Sequence, residues 1–135
     1  MLLPHLLIAC LTALPVGIHQ PQVSEKNNGT PAQQKINSQL LYEIYRLRGE
    51  AVRKGVPTGP TGVKIDARGR ALVDVRAAVT PAILRRIRGL GGTVISESAR
   101  DQSIIARVPL LKLETLAADA AVRFIEPAAE AMTVR

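Results

Sequence analysis

The order of hydrophobic periods between residues 71 and 134 predicts an α+β fold. The pattern reads alternating, helical, alternating, alternating, helical, alternating. That is β-α-β-β-α-β, a ferredoxin-like arrangement in which a four-stranded antiparallel sheet carries two helices on one face. A second observation adds an extra N-terminal helix, because Ile36, Leu40, Leu41, Ile44, Leu47 and Ala51 recur at helical spacing. A third bears on chemistry. Both histidines, His5 and His19, and the one cysteine, Cys10, lie in the first nineteen residues. Residues 35–135 therefore supply no Ser-His-Asp triad, Cys-His pair or Cys/His metal site. The chain is expected not to be an enzyme, and no catalytic residue, cofactor or metal is assigned to it.

Residues 1–18, MLLPHLLIACLTALPVGI, are apolar and read as a secretory signal peptide. Pro4 and Pro15 interrupt the run, which is short for a membrane span. No stable membrane insertion is expected after signal removal, and the expected location is secreted or periplasmic. Leu7-Ile8-Ala9-Cys10 is similar to a bacterial lipobox, whose cysteine carries lipid; the preferred reading is an ordinary cysteine of the apolar stretch. Residues 19–35 are polar, hold Pro21, Gly29 and Pro31, and read as a disordered linker.

The amphipathic helix covers residues 36–54, with Asn37 or Ser38 as its cap and Gly55 as its stop. GVPTGPTG, residues 55–62, is a loop by composition. It is not a phosphate-binding loop, since Lys64 follows Val63 and no glycine. Residues 63–66 read as a short strand and 67–70 as a turn. The ferredoxin-like domain is assigned to residues 63–135.

In the first strand of the repeat, 71–79, Val73, Val75, Ala77 and Val79 point one way and Leu72, Asp74 and Arg76 the other. Thr80-Pro81 is a helix start, with a capping threonine before a proline at the first helical position. Ile83, Leu84, Ile87 and Leu90 form its buried stripe, Arg85, Arg86 and Arg88 face outward, and Gly91-Gly92 stops it. Residues 93–99 are the second strand, 100–102 a turn and 103–108 the third strand. Pro109 opens the second helix, with Leu113, Leu116, Ala117 and Ala120 inward. Residues 123–126 are the fourth strand, with Phe124 inward, and 128–135 form an extended tail.

Charge is uneven. The chain carries +7, and residues 46–88 hold eleven basic against three acidic side chains. Such a stretch is either a solvated basic face or an attraction for nucleic acid, anionic lipid or acidic protein. The sheet face away from the helices would show one aliphatic residue per strand: Leu72, Ile95, Ile105 and Ile125. An exposed patch of that kind marks a protein interface. The alternative is that residues 55–66 or the first helix fold over it.

Several stretches resemble the propeptides of secreted bacterial subtilisin-like serine proteases, which also occur as free protease inhibitors. They are Gly69-Arg70-Ala71-Leu72-Val73-Asp74-Val75, IRGLGGTV at 87–94, and Ile105-Ala106-Arg107-Val108-Pro109 with Leu113 and Leu116. Val122-Arg123-Phe124-Ile125-Glu126-Pro127 completes the set. The resemblance spans roughly residues 35–135. It implies an intramolecular chaperone and inhibitor whose partner is a subtilisin-like catalytic domain. It also implies that the open sheet face, Leu72, Ile95, Ile105 and Ile125, packs on surface helices of the protease. The tail Glu130, Ala131, Met132, Thr133, Val134 and Arg135 would lie in the protease cleft, with Arg135 at the scissile end. Glu97 and Asp101 are candidates to cap protease helix N-termini. The Ala120-Ala121 pair departs from the proline-containing turn usual there, and no subtilisin-type catalytic motif is present in the chain. The chain is then a stand-alone inhibitor, a separately encoded propeptide or a fragment of a protease precursor.

RNA-recognition domains share this strand order, but they need aromatic residues on the open face to stack bases. The middle strands have none, so no nucleic-acid partner is expected. A small exported interaction module without a protease partner remains the other reading.

Overall fold

The structure is a computed structural model, and it describes residues 29–129. The expected signal peptide (1–18), the linker up to residue 28 and the tail residues 130–135 lie outside the described residues. The elements run α1 (Pro31–Gln34), α2 (Ser38–Leu47), β1 (Arg70–Ala77), α3 (Pro81–Gly89), β2 (Thr93–Ser98), β3 (Ser103–Pro109), α4 (Leu113–Ala117) and β4 (Val122–Pro127). The four strands form one sheet in the order β2-β3-β1-β4, with every neighbour antiparallel. The predicted ferredoxin-like α+β fold is the fold observed.

One aliphatic core lies on one side of this sheet. It joins Val73, Val75 and Ala77 of β1 and Ile104, Ala106 and Val108 of β3 to Ile83 and Ile87 of α3 and Leu113 and Leu116 of α4. Leu40, Leu41 and Ile44 of α2 belong to the same cluster, so the first helix joins the helical side and does not fold over the open face. Each of the valine, leucine and isoleucine side chains among them, removed from water, stabilises by about 1.5–3 kcal/mol.

The helix boundaries follow from local capping. The end of the expected linker is helical instead. Thr30 accepts from Gln33 N–H at 3.2 Å, and the Gln33 side chain accepts from Thr30 N–H at 3.0 Å. This reciprocal box, with Pro31 at the first position, starts α1. Asn37 caps α2 through Gln39 N–H at 2.8 Å. That helix stops at Leu47 rather than at residue 54. Gly49 adopts φ +72°, and the Glu50 and Gly49 N–H groups reach back to the carbonyls of Tyr45 and Arg46. A left-handed glycine closes the helix by satisfying its last carbonyls. One further turn follows and ends at Gly55, φ +65°. Arg46 then pins the glycine-proline loop, donating to the carbonyls of Pro57 and Gly59 at 2.8 and 2.7 Å.

α3 begins as expected, with Thr80 accepting from Ile83 N–H. It closes at Gly91, φ +87°. Gly92 has no room for a side chain: an added Cβ would lie 2.7 Å from Ile87 Cγ2 and 2.8 Å from the Ile87 carbonyl oxygen. Pro109 ends β3 instead of opening a helix; a 3-10 turn, Leu110–Lys112, leads into a short α4. α4 stops at Ala117, which leaves Ala120 exposed rather than inward. The expected strand at 63–66 is a single bridge between Ile65 and Ala71.

The main correction concerns β4. Val75 pairs with Ile125 and Arg76 with Phe124, but Ala77 pairs with Val122, so Arg123 is an extra residue. A bulge of this kind shifts the alternation by one. Val122 and Ile125, three apart, therefore both face the helices, and Ile125 is fully buried in the core. Phe124 takes the open-face position opposite Arg76, the reverse of the alternation expected from sequence. The outer edge of β4 is closed by the joint between α1 and α2. Ile125 N–H donates to the Lys35 carbonyl and Asn37 N–H to the Ile125 carbonyl, both at 2.8 Å, with Ile36 fully buried between them.

Two predictions follow from these placements. Ile125→Ala should cost about 2–5 kcal/mol in urea denaturation, the value for a truncated core residue; a loss under about 1 kcal/mol would return Ile125 to the open face. Asp66 accepts from the Arg70 and Arg68 N–H groups and from Arg70 Nε, at 2.8–2.9 Å. The Arg70 N–H above all holds its carboxyl below the usual 3.8. A depressed carboxylate stabilises above its unfolded pKa, and that stability is lost as pH falls through the folded value. Asp66→Asn should therefore be less stable than wild type near neutral pH, and the gap in urea midpoint should close below about pH 4.

Candidate interaction face

The face of the sheet away from the helices is built by β1, β3, β2 and β4 together. Residues paired across antiparallel strands share a face. The open face therefore holds Leu72 opposite Arg107, Asp74 between Ile105 and Glu126, and Arg76 between Ser103 and Phe124. β2 adds Thr93 opposite Arg107 and Ser96 opposite Ile105.

Of the four aliphatic residues expected here, three remain and each stands differently. Leu72 is on this face but only 3% exposed. Its N–H donates to the Lys64 carbonyl and its carbonyl accepts from Ala128 N–H, so chain flanks it on one edge. Ile105 is half-buried at the centre. Ile95 is 52% exposed, because it is the extra residue of a second bulge, where Val94 pairs with Ala106 and Ser96 with Ile105. Ile125 is absent from the face, as described above, and Phe124 replaces it.

The centre of the face is charged. Arg76 Nη2 lies 3.0 Å from Asp74 Oδ2 and 3.0 Å from Glu126 Oε1, and Arg76 Nε donates to Glu126 Oε1 at 3.2 Å. Ser103 Oγ donates to Asp74 Oδ1 at 2.7 Å. The Glu126 hydrogen bonds first, and then the Asp74 charge, push the Arg76 guanidinium still higher than usual. Asp74 is the one charged residue among the buried described residues, and this set of partners is what makes its burial tolerable. Asp74 and Arg76 were legible from the alternation of β1. The third member, Glu126, was not, because its face depends on the register of β4.

The other sequence candidates fall apart in space. Glu97 is exposed on β2 and pairs with Ile104, a core-facing position, so it does not share the open face. Asp101 is exposed in the β2–β3 turn, where its carboxylate accepts from Ser98 Oγ at 2.8 Å. The cleft segment, Glu130 to Arg135, lies outside the described residues. Among the described residues no group of His, Cys, Asp or Glu is placed to hold a metal, and no helix is long and apolar enough to cross a membrane. Comparison with known proteins found no matching family model, curated protein or solved structure.

The polar centre has a measurable signature. Arg76→Met should leave Asp74 and Glu126, direct neighbours across β1 and β4, without the ion-pair partner they share, and cost about 1–3 kcal/mol in urea denaturation. Adding Glu126→Gln to that variant should recover part of the loss. Recovery of none would mean that the two carboxylates are not coupled through Arg76.

Proposed function

We propose that this chain is a non-catalytic, propeptide-like domain that binds a subtilisin-like serine protease, assists its folding and inhibits it. The reading draws on the resemblance of residues 35–135 to such propeptides and on the ferredoxin-like fold. The observation that carries it is the open sheet face, on which Ile105, Ile95 and Phe124 stand around a pre-paired charged centre, with Leu72 buried at its edge. All four helices pack on the other side of the sheet, α1 through Ala32, so among the described residues no helix covers this face. The apolar residues would supply contact area, and the Arg76 cluster would fix the register of the partner. The tail from Glu130 to Arg135 continues from β4 and would enter the protease cleft. Glu97 and Asp101 would act from the β2–β3 hairpin rather than from the face itself.

Inhibition of a panel of subtilisin-like proteases tests this. The substitutions must break binding without breaking the sheet. Ile105→Asp is a poor choice, since Ile105 stands directly opposite Asp74 and like charges there are destabilising. Ile105→Lys faces a carboxylate instead, and Ile95→Lys changes a residue that is already exposed. Both variants should keep the wild-type circular dichroism spectrum and weaken inhibition at least tenfold. Deleting residues 130–135 should weaken inhibition without changing the urea midpoint. A folded wild type that inhibits no member of the panel, or Lys variants that inhibit as well as wild type, would leave an interaction module with some other partner.

A further inference from the structure

α3 has an outward side of arginine, proline and the smallest residues. At roughly 100° per residue, the buried Ile83 and Ile87 define its inner direction. Arg85 and Arg88 lie within about 60° of each other on the opposite side, and Arg86 lies about 100° from Arg85, toward the flank of the helix. The other outward positions are Pro81, Ala82 and Gly89, and all six residues are exposed. The helix contains no acidic residue. None of the ion pairs or side-chain hydrogen bonds among the described residues involves these three arginines, although Arg46, Arg48, Arg53, Arg70 and Arg76 all have carboxylate partners.

This arrangement has consequences for what can approach. Among the described residues these guanidinium groups have no carboxylate partner, and only Pro81, Ala82 and Gly89 stand between them, so no long or acidic side chain of α3 separates them from an anionic layer. Arginine is the side chain best suited to phosphate, since its planar fork donates two parallel hydrogen bonds. No aromatic residue lies on α3 to stack a base, which disfavours single-stranded nucleic acid. The sequence adds an independent pointer to one source of phosphate. Residues 1–18 are apolar and uncharged apart from His5, and a signal peptide of that kind brings the chain to a bilayer during export.

We propose that the Arg85, Arg86 and Arg88 side of α3 docks the domain on an anionic phospholipid surface. Geometry makes this compatible with a partner on the sheet. The helices cover one face of the sheet and the candidate interaction face is the other, so a domain resting on lipid through α3 turns its open face to the solvent. The contact would be electrostatic and peripheral, with no helix inserted.

The full chain should be tested by co-sedimentation with vesicles of phosphatidylcholine alone and of phosphatidylcholine mixed with phosphatidylglycerol. Any partition driven by residues 1–18 is apolar and common to both vesicles, so the readout is the difference between them. Wild type should bind the anionic vesicles about tenfold or more tightly than the neutral ones, since each basic side chain near such a surface contributes appreciably. Raising salt should erase the difference. The triple variant Arg85→Gln, Arg86→Gln, Arg88→Gln should lose it at a wild-type urea midpoint. Should the triple variant prove unstable, Arg85→Gln alone, outside the last turn, should still reduce it. Equal binding to both vesicles, or an anionic preference that survives the substitutions, overturns the proposal. So does tight, arginine-dependent binding of duplex DNA or inorganic polyphosphate by a protein that ignores the vesicles.

Discussion

The register of β1 between β3 and β4 is the constraint on which the rest of the structure depends. β1 is paired along both edges, and five consecutive residues, Ala71 to Val75, are buried. A strand in that position must satisfy two faces at once. Val73 and Val75 face the helices and set the depth of the core. Leu72, Asp74 and Arg76 face the other way and set the character of the open face. A slip of one residue would exchange the two sets, driving Asp74 and Arg76 into an aliphatic core that has no partner for either. The ion-paired cluster on one side and the aliphatic cluster on the other therefore enforce the same register, and neither alternative satisfies both.

The two bulges release that constraint locally. A strict alternation through β4 would bury Val122 and Phe124 and expose Ile125. The extra residue Arg123 instead lets two aliphatic residues three apart reach the core. It also brings Ile125 to the edge where Lys35 and Asn37 bond to it. The N-terminal helices are thus attached to the sheet by backbone, not only by side-chain packing. Their polar contacts agree with this: Gln33 and Arg48 both reach Glu114 of α4, and Lys35 donates to the Asp119 carbonyl. An edge strand with free N–H and C=O groups invites aggregation, and the α1–α2 joint removes that hazard on the β4 side.

Those bulges are also where sequence reasoning stopped. Element order, helix starts at Thr80 and Asn37 and the stop at Gly91 were legible, because each rests on local chemistry within four residues. The capping box at Thr30 to Gln33 and the helix stop at Gly49 carried the same kind of signal. The polar composition of one and the continuing apolar period of the other concealed them. The face of Ile125 could not be read, because a bulge is set by which strand is met across the sheet and not by the strand's own sequence. The candidate face was accordingly recovered at Leu72, Ile105 and Ile95 and lost at β4, where Phe124 stands in place of Ile125.

The consequence for binding lies in how the face is composed. Four aliphatic residues would have made a surface whose attraction is undirected and scales with area. The observed face instead places a salt-bridged cluster amid apolar residues. Desolvating that cluster is costly, and a partner that fails to meet its remaining hydrogen-bond capacity leaves charges buried and unsatisfied. Such a centre discriminates between partners more than it raises affinity. Because Asp74, Arg76, Glu126 and Ser103 already hold one another, little ordering remains to be done on association. The face is also close to neutral, with Arg76 and Arg107 set against two carboxylates, whereas α3 on the other side of the sheet presents three unpaired arginines. At physiological salt, charges more than about 8 Å apart are largely screened. The two sides of this thin domain can then meet partners of different chemistry without either one perturbing the other.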